Sequence, residues 1–199
     1  MSSFSETYLA ETAEIVGRLD AGSVERLAGA LAAIREGGGR LFILGVGGSA
    51  AHASHAAADF RKLCGLEAYA PTDNVAELTA RINDDGWDGA LASWLEGSRV
   101  GARDAVLVFS VGGGSEERGV SVNLVRALET ARGAGAKVFG VVGRDGGYTH
   151  AVADESVLIP VINDDRVTPH TEGMCAVVWH LLVSHPALQI GTAKWESLR

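Results

Sequence analysis

The stretch from Leu41 to Asp59 constrains the fold of this chain more than any other. Leu41-Phe42-Ile43-Leu44 is short and continuously apolar, the pattern of a strand buried on both faces. It runs into Gly45-Val46-Gly47-Gly48-Ser49, and a helix follows that carries His52, His55 and Asp59. Strand, glycine turn, helix is the order in which parallel α/β folds aim backbone N–H groups at an anion. Three more apolar, β-branched runs read as strands, at residues 105–109, 137–142 and 156–160. Helical patterns lie between or after them near 76–81, 88–98, 122–133 and 172–184. This alternation predicts an α/β fold with a doubly wound parallel sheet and right-handed crossovers.

Ahead of the first strand, Leu9, Ile15, Val16, Leu19, Leu27, Leu31 and Ile34 recur at helical spacing. Ala21-Gly22-Ser23 is expected to break this stretch into two helices, with Ser23 as the N-cap and Glu25 in the first turn. Helices that precede the first strand cannot be crossovers. They are expected to pack on the outside or against another subunit. With 199 residues, one domain is expected, with residues 1–36 a helical segment and 37–199 the α/β layer structure. A net charge of −8 argues against a sequence-independent grip on nucleic acid, which needs clustered Lys and Arg. Cys64 and Cys175 form no CxxC pair and read as small buried apolar residues. The N-terminus has neither the basic nor the apolar region of a signal peptide, and no apolar run reaches membrane-spanning length. A cytoplasmic protein with no membrane partner is the expectation.

His52, His55 and Asp59 stand at i, i+3 and i+7 and so share one helix face, where a helix serving the fold alone would carry leucine. A second glycine turn follows the 105–109 strand, from Ser110 through Gly112, Ser115 and Ser121 to Val122-Asn123-Leu124. Its serines are either an ordinary hydrophilic turn with an N-cap or the hydroxyls of a phosphate site. Two such loops in one small sheet favour the second reading. His180 sits in a strongly apolar helix, and imidazole there suits either proton transfer or a metal. Glu172 lies eight residues earlier on nearly the same face, about 12 Å away by helical rise. Asn83-Asp84-Asp85-Gly86-Trp87-Asp88 reads as a loop into a helix, and Arg61 and Lys62 as surface charges or attractors of a phosphosugar. Gly45 to Ala50 also satisfies G-x-G-x-x-A. With Glu67 as its acid that would be a dinucleotide site, but such a fold has no need of the histidine face.

Taken in order, Gly45-Val46-Gly47-Gly48-Ser49 with His55 and Asp59, Asn83-Asp84, the Ser110 loop, Val142-Gly143-Arg144-Asp145-Gly146-Gly147 and the Glu172 to His180 helix resemble the phosphoheptose isomerase branch of the sugar isomerase (SIS) domain family. The resemblance spans nearly the whole chain. It implies a three-layer αβα sandwich, a homotetramer with active sites between subunits, and a zinc ion. The implied reaction is isomerisation of sedoheptulose 7-phosphate to D-glycero-D-manno-heptose 7-phosphate, a step toward nucleotide-activated heptose. By motif position His55, Asp59, Glu172 and His180 form the metal set, and Asp59 and His180 double as the acid–base pair. By the same resemblance Ser110 and Ser121 would hold the phosphate; Gly47, Gly48, Ser49, Gly112, Ser115 and Glu172 are expected at the substrate, and Asp84 at sugar hydroxyls or a neighbouring subunit. The chain departs from the family pattern at Val46 (usually Asn), Asp59 (Glu), Glu172 (Gln) and Gly112 (Ser), and in a phosphate loop expanded before Ser121. A non-catalytic SIS protein, a sugar-phosphate sensor or assembly adaptor, is the alternative in another class.

Overall fold

Five short strands form one parallel sheet, whose central runs, 41–44, 105–110 and 138–142, are buried and covered on both sides. A computed structural model describes residues 2–194 and 196–198. The elements run α1 (Phe4–Arg18), α2 (Ala21–Glu36), β1 (Arg40–Leu44), α3 (Gly48–Cys64), β2 (Glu67–Tyr69), α4 (Val75–Gly97), β3 (Ala105–Ser110), α5 (Val122–Gly133), β4 (Lys137–Val142), α6 (Gly147–Val152), β5 (Glu155–Leu158) and α7 (Val167–Val183). The strand order is β2-β1-β3-β4-β5, and every pairing is parallel. Helices α2, α3 and α7 cover one face around Leu27, Leu31, Phe60 and Trp179. Helices α4 and α5 cover the other around Leu91, Trp94, Leu124 and Leu128. The result is the three-layer sandwich. Each of these large apolar side chains contributes roughly 1.5–3 kcal/mol by leaving water.

The chain first moves from β1 to β2, then crosses back over β1 to β3. Beyond their C-terminal ends lies the topological switch point, where loops diverge and leave a crevice. At the opposite end the two strands are tied together. The Asp104 carboxylate accepts the Arg40 backbone N–H at 3.0 Å, its Nε at 3.2 Å and its Nη2 at 2.7 Å, and the Gly101 N–H at 2.9 Å. Burial pulls the Asp104 pKa upward, but the bonds from Arg40 and Gly101 outweigh it and hold it below the ordinary value. The lock sets Leu41 opposite Ala105 and so aligns the two loops at the far end.

Several local expectations need correction. The α2 N-cap is Asp20, not Ser23: its carboxylate accepts the Gly22 N–H at 2.9 Å, while Ser23 is buried one turn inside and donates to the Asp20 carbonyl at 2.6 Å. The break falls at Leu19, which is extended (φ −63°, ψ 129°). The segment Asn83 to Asp88 is not a loop: α4 continues through it, interrupted only at Gly86 (φ 71°, ψ 167°). Arg81 bridges that kink by donating to the Ser93 carbonyl at 2.7 Å. Glu67 lies in an edge strand, β2, and the short helix α6 follows Gly146. Helix α7 begins at Val167, one turn and more before Glu172. Both cysteines are free and buried, and burial pushes Cys64 up to about 11 and Cys175 to about 12. No described helix is long and apolar enough to cross a membrane.

Candidate active site

The crevice at the switch point is a cavity of about 840 Å³. Val46 and Ser49 reach it from the turn after β1, Ser110 to Ser121 from the loop after β3, and Arg144, Tyr148 and His150 from the turn and helix after β4. Gly47 makes the first turn possible. It caps α3 at φ 63°, ψ −127°, a backbone conformation that a side chain opposes. Ser110 is buried, and its hydroxyl accepts the Gly113 N–H at 3.0 Å, which leaves its own proton to donate to a ligand. Ser121 caps α5 in the left-handed region (φ 49°, ψ 44°), and its hydroxyl makes no capping bond. A hydroxyl held at a helix N-terminus without an internal partner is suited to an anion. The root of the loop is fixed to α6: Tyr148 and Thr149 N–H groups donate to the Gly114 and Gly113 carbonyls at 2.9 and 3.0 Å. Beyond that root, Ser115 and Val120 exchange backbone bonds at 2.8 and 3.0 Å to close a small hairpin. Its tip, Glu116-Glu117-Arg118, is the expansion seen in the sequence, and it forms one wall of the cavity.

The histidine face of α3 lies outside this cavity, against α7. Among the described residues, one group brings three candidate ligand atoms within 4.8 Å of one another: His55, Asp59 and His180. His55 and His180 are exposed and Asp59 half-buried. The His180 Nδ1 lies 2.8 Å from the Ala176 carbonyl. A carbonyl only accepts, so Nδ1 carries the proton and Nε2 is free to bind a metal or a proton. His55 Nε2 stands 3.8 Å from Asp59 Oδ2. Two imidazoles and one carboxylate fit a zinc-type ion that keeps a position open for substrate.

Glu172 is not in that group. Its carboxylate overhangs the first turn of α3, where a Cβ on Gly48 would meet Oε1 at 2.6 Å. It therefore sits at the N-terminal end of α3, and the histidine pair lies further down both helices. His52 is half-buried on α3 and stands outside the three-residue group. Asp84 is exposed on α4, accepts from Asn83 Nδ2 at 2.8 Å and does not line the cavity. Arg61 lies over the Tyr69 ring at 5.4 Å, at the end of α3 far from the loops.

The SIS domain family profile matches residues 7–143. A phosphoheptose isomerase of Trichlorobacter lovleyi is 38% identical over 150 residues, spanning 73% of this chain and 71% of its own length. The phosphoheptose isomerase of Syntrophotalea carbinolica is 31% identical over 186 residues, 88% of each chain. The chain belongs to the phosphoheptose isomerase branch of the SIS domain family. It is an isomerase. Its architecture superposes on the phosphoheptose isomerase GmhA of Neisseria gonorrhoeae with a TM-score of 0.78 at 24% identity, covering 90% of this chain and 96% of that one.

Two features of this SIS isomerase escaped the sequence reading. Tyr148 and His150 join the cavity wall from α6, a six-residue helix too short to show a period. Trp179, beside His180 in an apolar helix, reads as core. It is indeed 1% exposed, but it lies against both histidines. No pattern in the sequence separates such a residue from ordinary packing.

Proposed function

We propose that this chain interconverts sedoheptulose 7-phosphate and D-glycero-D-manno-heptose 7-phosphate, supplying an aldose phosphate for conversion to nucleotide-activated heptose. The observation that carries the reading is the presence, in an isomerase of this branch, of His55, Asp59 and His180 within 4.8 Å of one another, two of them on helix α3, whose first turn reaches the cavity through Ser49. Ser110 and Ser121 with the α5 N-terminus take the phosphate, and Ser49 and the Glu172 carboxylate lie along the path from the phosphate to the reacting end. That remote binding energy positions the sugar carbons. One member of the Asp59–His180 pair takes the proton from C1 of the ketose while the other protonates the C2 carbonyl oxygen, giving the enediol. The O1 proton then leaves and C2 receives one, which yields the aldose. Zinc bound by His55, Asp59 and His180 would supply a Lewis acid for the negative charge that develops on the oxygens.

The histidine group lies about two helical turns along α3 from the phosphate loop, and in our reading a second copy, within a homotetramer, contributes to the site. Val177 and Leu181, 43% and 41% exposed around His180, form the apolar face such a contact would cover. The test is an NMR time course with sedoheptulose 7-phosphate, run with zinc and with a chelator. Zinc-dependent appearance of an aldoheptose 7-phosphate is expected, and Asp59→Asn should abolish it while phosphate binding persists. No conversion by folded, zinc-loaded protein, or full activity in Asp59→Asn, would overturn the assignment. Retention of phosphosugar binding without turnover would mark a sensor.

A further inference from the structure

Both imidazoles of the proposed metal group rest on one buried indole. Trp179 is 1% exposed. Its ring is stacked on His180 at a centroid distance of 3.5 Å and an interplanar angle of 29°. It meets His55 edge-on at 4.6 Å and 62°. The two imidazoles are 5.6 Å apart and nearly perpendicular, at 89°.

This arrangement solves a problem that exposure creates. An exposed histidine on a helix samples several staggered rotamers, and a ligand set works only when its members are held together. His180 is fixed in part by its bond to the Ala176 carbonyl. His55 has no such bond among the described residues: the Asp59 carboxylate is 3.8 Å away, too far for a hydrogen bond. The ring that His55 rests against on the side of His180 is the indole. The Trp179 Nε1 finds no hydrogen-bond partner among the described residues. The contact to both histidines is made by its aromatic surface.

We propose that Trp179 is the positioning residue of this group, an aromatic floor that holds His55 and His180 in ligating orientation. The inference rests on the reading of His55, Asp59 and His180 as a metal site. A planar ring at position 179 should suffice, whereas a flexible side chain of adequate volume should not.

The experiment titrates zinc, in competition with a chromophoric chelator, into metal-free wild type, His180→Ala, Trp179→Phe and Trp179→Met. Visible spectra of the cobalt-loaded proteins report ligand geometry, and thermal melts of the metal-free proteins report the fold. Expected for Trp179→Met is zinc binding weakened by about 10- to 100-fold, the range for loss of a group that orients metal ligands. Its cobalt spectrum should change, while a melting temperature lowered by several degrees, as a smaller core side chain requires, still reports a folded protein. Trp179→Phe should bind within about threefold of wild type with an unchanged cobalt spectrum, since the ring face is kept. Wild-type zinc affinity and cobalt spectrum in folded Trp179→Met would overturn the inference. If Trp179→Met does not fold, Trp179→Phe decides alone: a loss beyond about tenfold, the lower edge of that range, would overturn it and retention would support it. Failure of the underlying reading looks different, because wild type and His180→Ala would then bind zinc equally or not at all.

Discussion

Gly48→Ala separates the position of the Glu172 carboxylate from the stability of the fold. A Cβ at residue 48 would stand 2.6 Å from Oε1, 2.7 Å from Cδ and 2.8 Å from Oε2 of Glu172. Ordinary van der Waals contact starts at 3.4 Å, so the carboxylate must retreat by about 0.6–0.8 Å or change rotamer. The obstacle is the far end of a flexible side chain, and moving it costs about 0.5–1.5 kcal/mol. Alanine in the first turn of α3 returns about 1 kcal/mol of helix propensity. The two nearly cancel, and the melting temperature should stay within about 4 °C of wild type. Catalysis has no such compensation. A displacement approaching 1 Å in a group that orients substrate lowers kcat/KM by about 10- to 100-fold. Thermal melts and steady-state kinetics on sedoheptulose 7-phosphate give both numbers from one preparation. Wild-type kcat/KM in a folded Gly48→Ala protein would remove Glu172 from the site. A fall of ten degrees or more would show instead that Gly48 serves packing, contrary to the geometry.

Ser121→Gly should move stability and binding in opposite directions. Glycine relieves the left-handed backbone at φ 49°, a gain of up to about 1 kcal/mol, while loss of a hydroxyl bond to a charged phosphate raises KM by about 10- to 100-fold; unchanged KM would place the phosphate elsewhere. Glu11, on α1, accepts from Arg166 at 2.7 and 2.8 Å, Asn163 at 2.8 Å and His170 at 3.0 Å, with Arg166 the main reason that its pKa falls below the ordinary 4.5. A carboxyl lowered by folding stabilises the protein above its unfolded pKa, and that stability is lost as pH falls below it. Glu11→Gln should therefore lower the melting temperature at pH 7, and its gap to wild type should close as pH drops from 5 toward 3. A gap constant across that range would mean that the ion pairs do not anchor α1.

The central architecture was legible because it is written in local pattern. Strand β4 and helix α5 fall on the predicted residues, and β1 and β3 differ from them by one residue at an end. Each is an uninterrupted apolar run or a clear helical period, and burial on both faces leaves no other way to satisfy such runs. What local pattern missed is short or contested. Strand β2 has three residues that pair with one side of β1 only, and α6 has six. Asp20 and Ser23 are both good N-caps, and the choice between them depended on where Leu19 leaves helix α1.

The residue types of the site were also legible, since spacing alone puts His55 and Asp59 on one face of α3. Which groups meet was not. Helices α3 and α7 are 119 residues apart at Cys64 and Val183, yet they lie side by side and run the same way, so that Glu172 faces Gly48 and His180 faces His55 and Asp59. That alignment follows from the shared sheet face beneath them and from the switch point between β1 and β3, which opens the cavity at the same edge. A helical period tells which side of a helix is polar. Only long-range packing decides what stands opposite, and here it set a buried indole behind two exposed imidazoles.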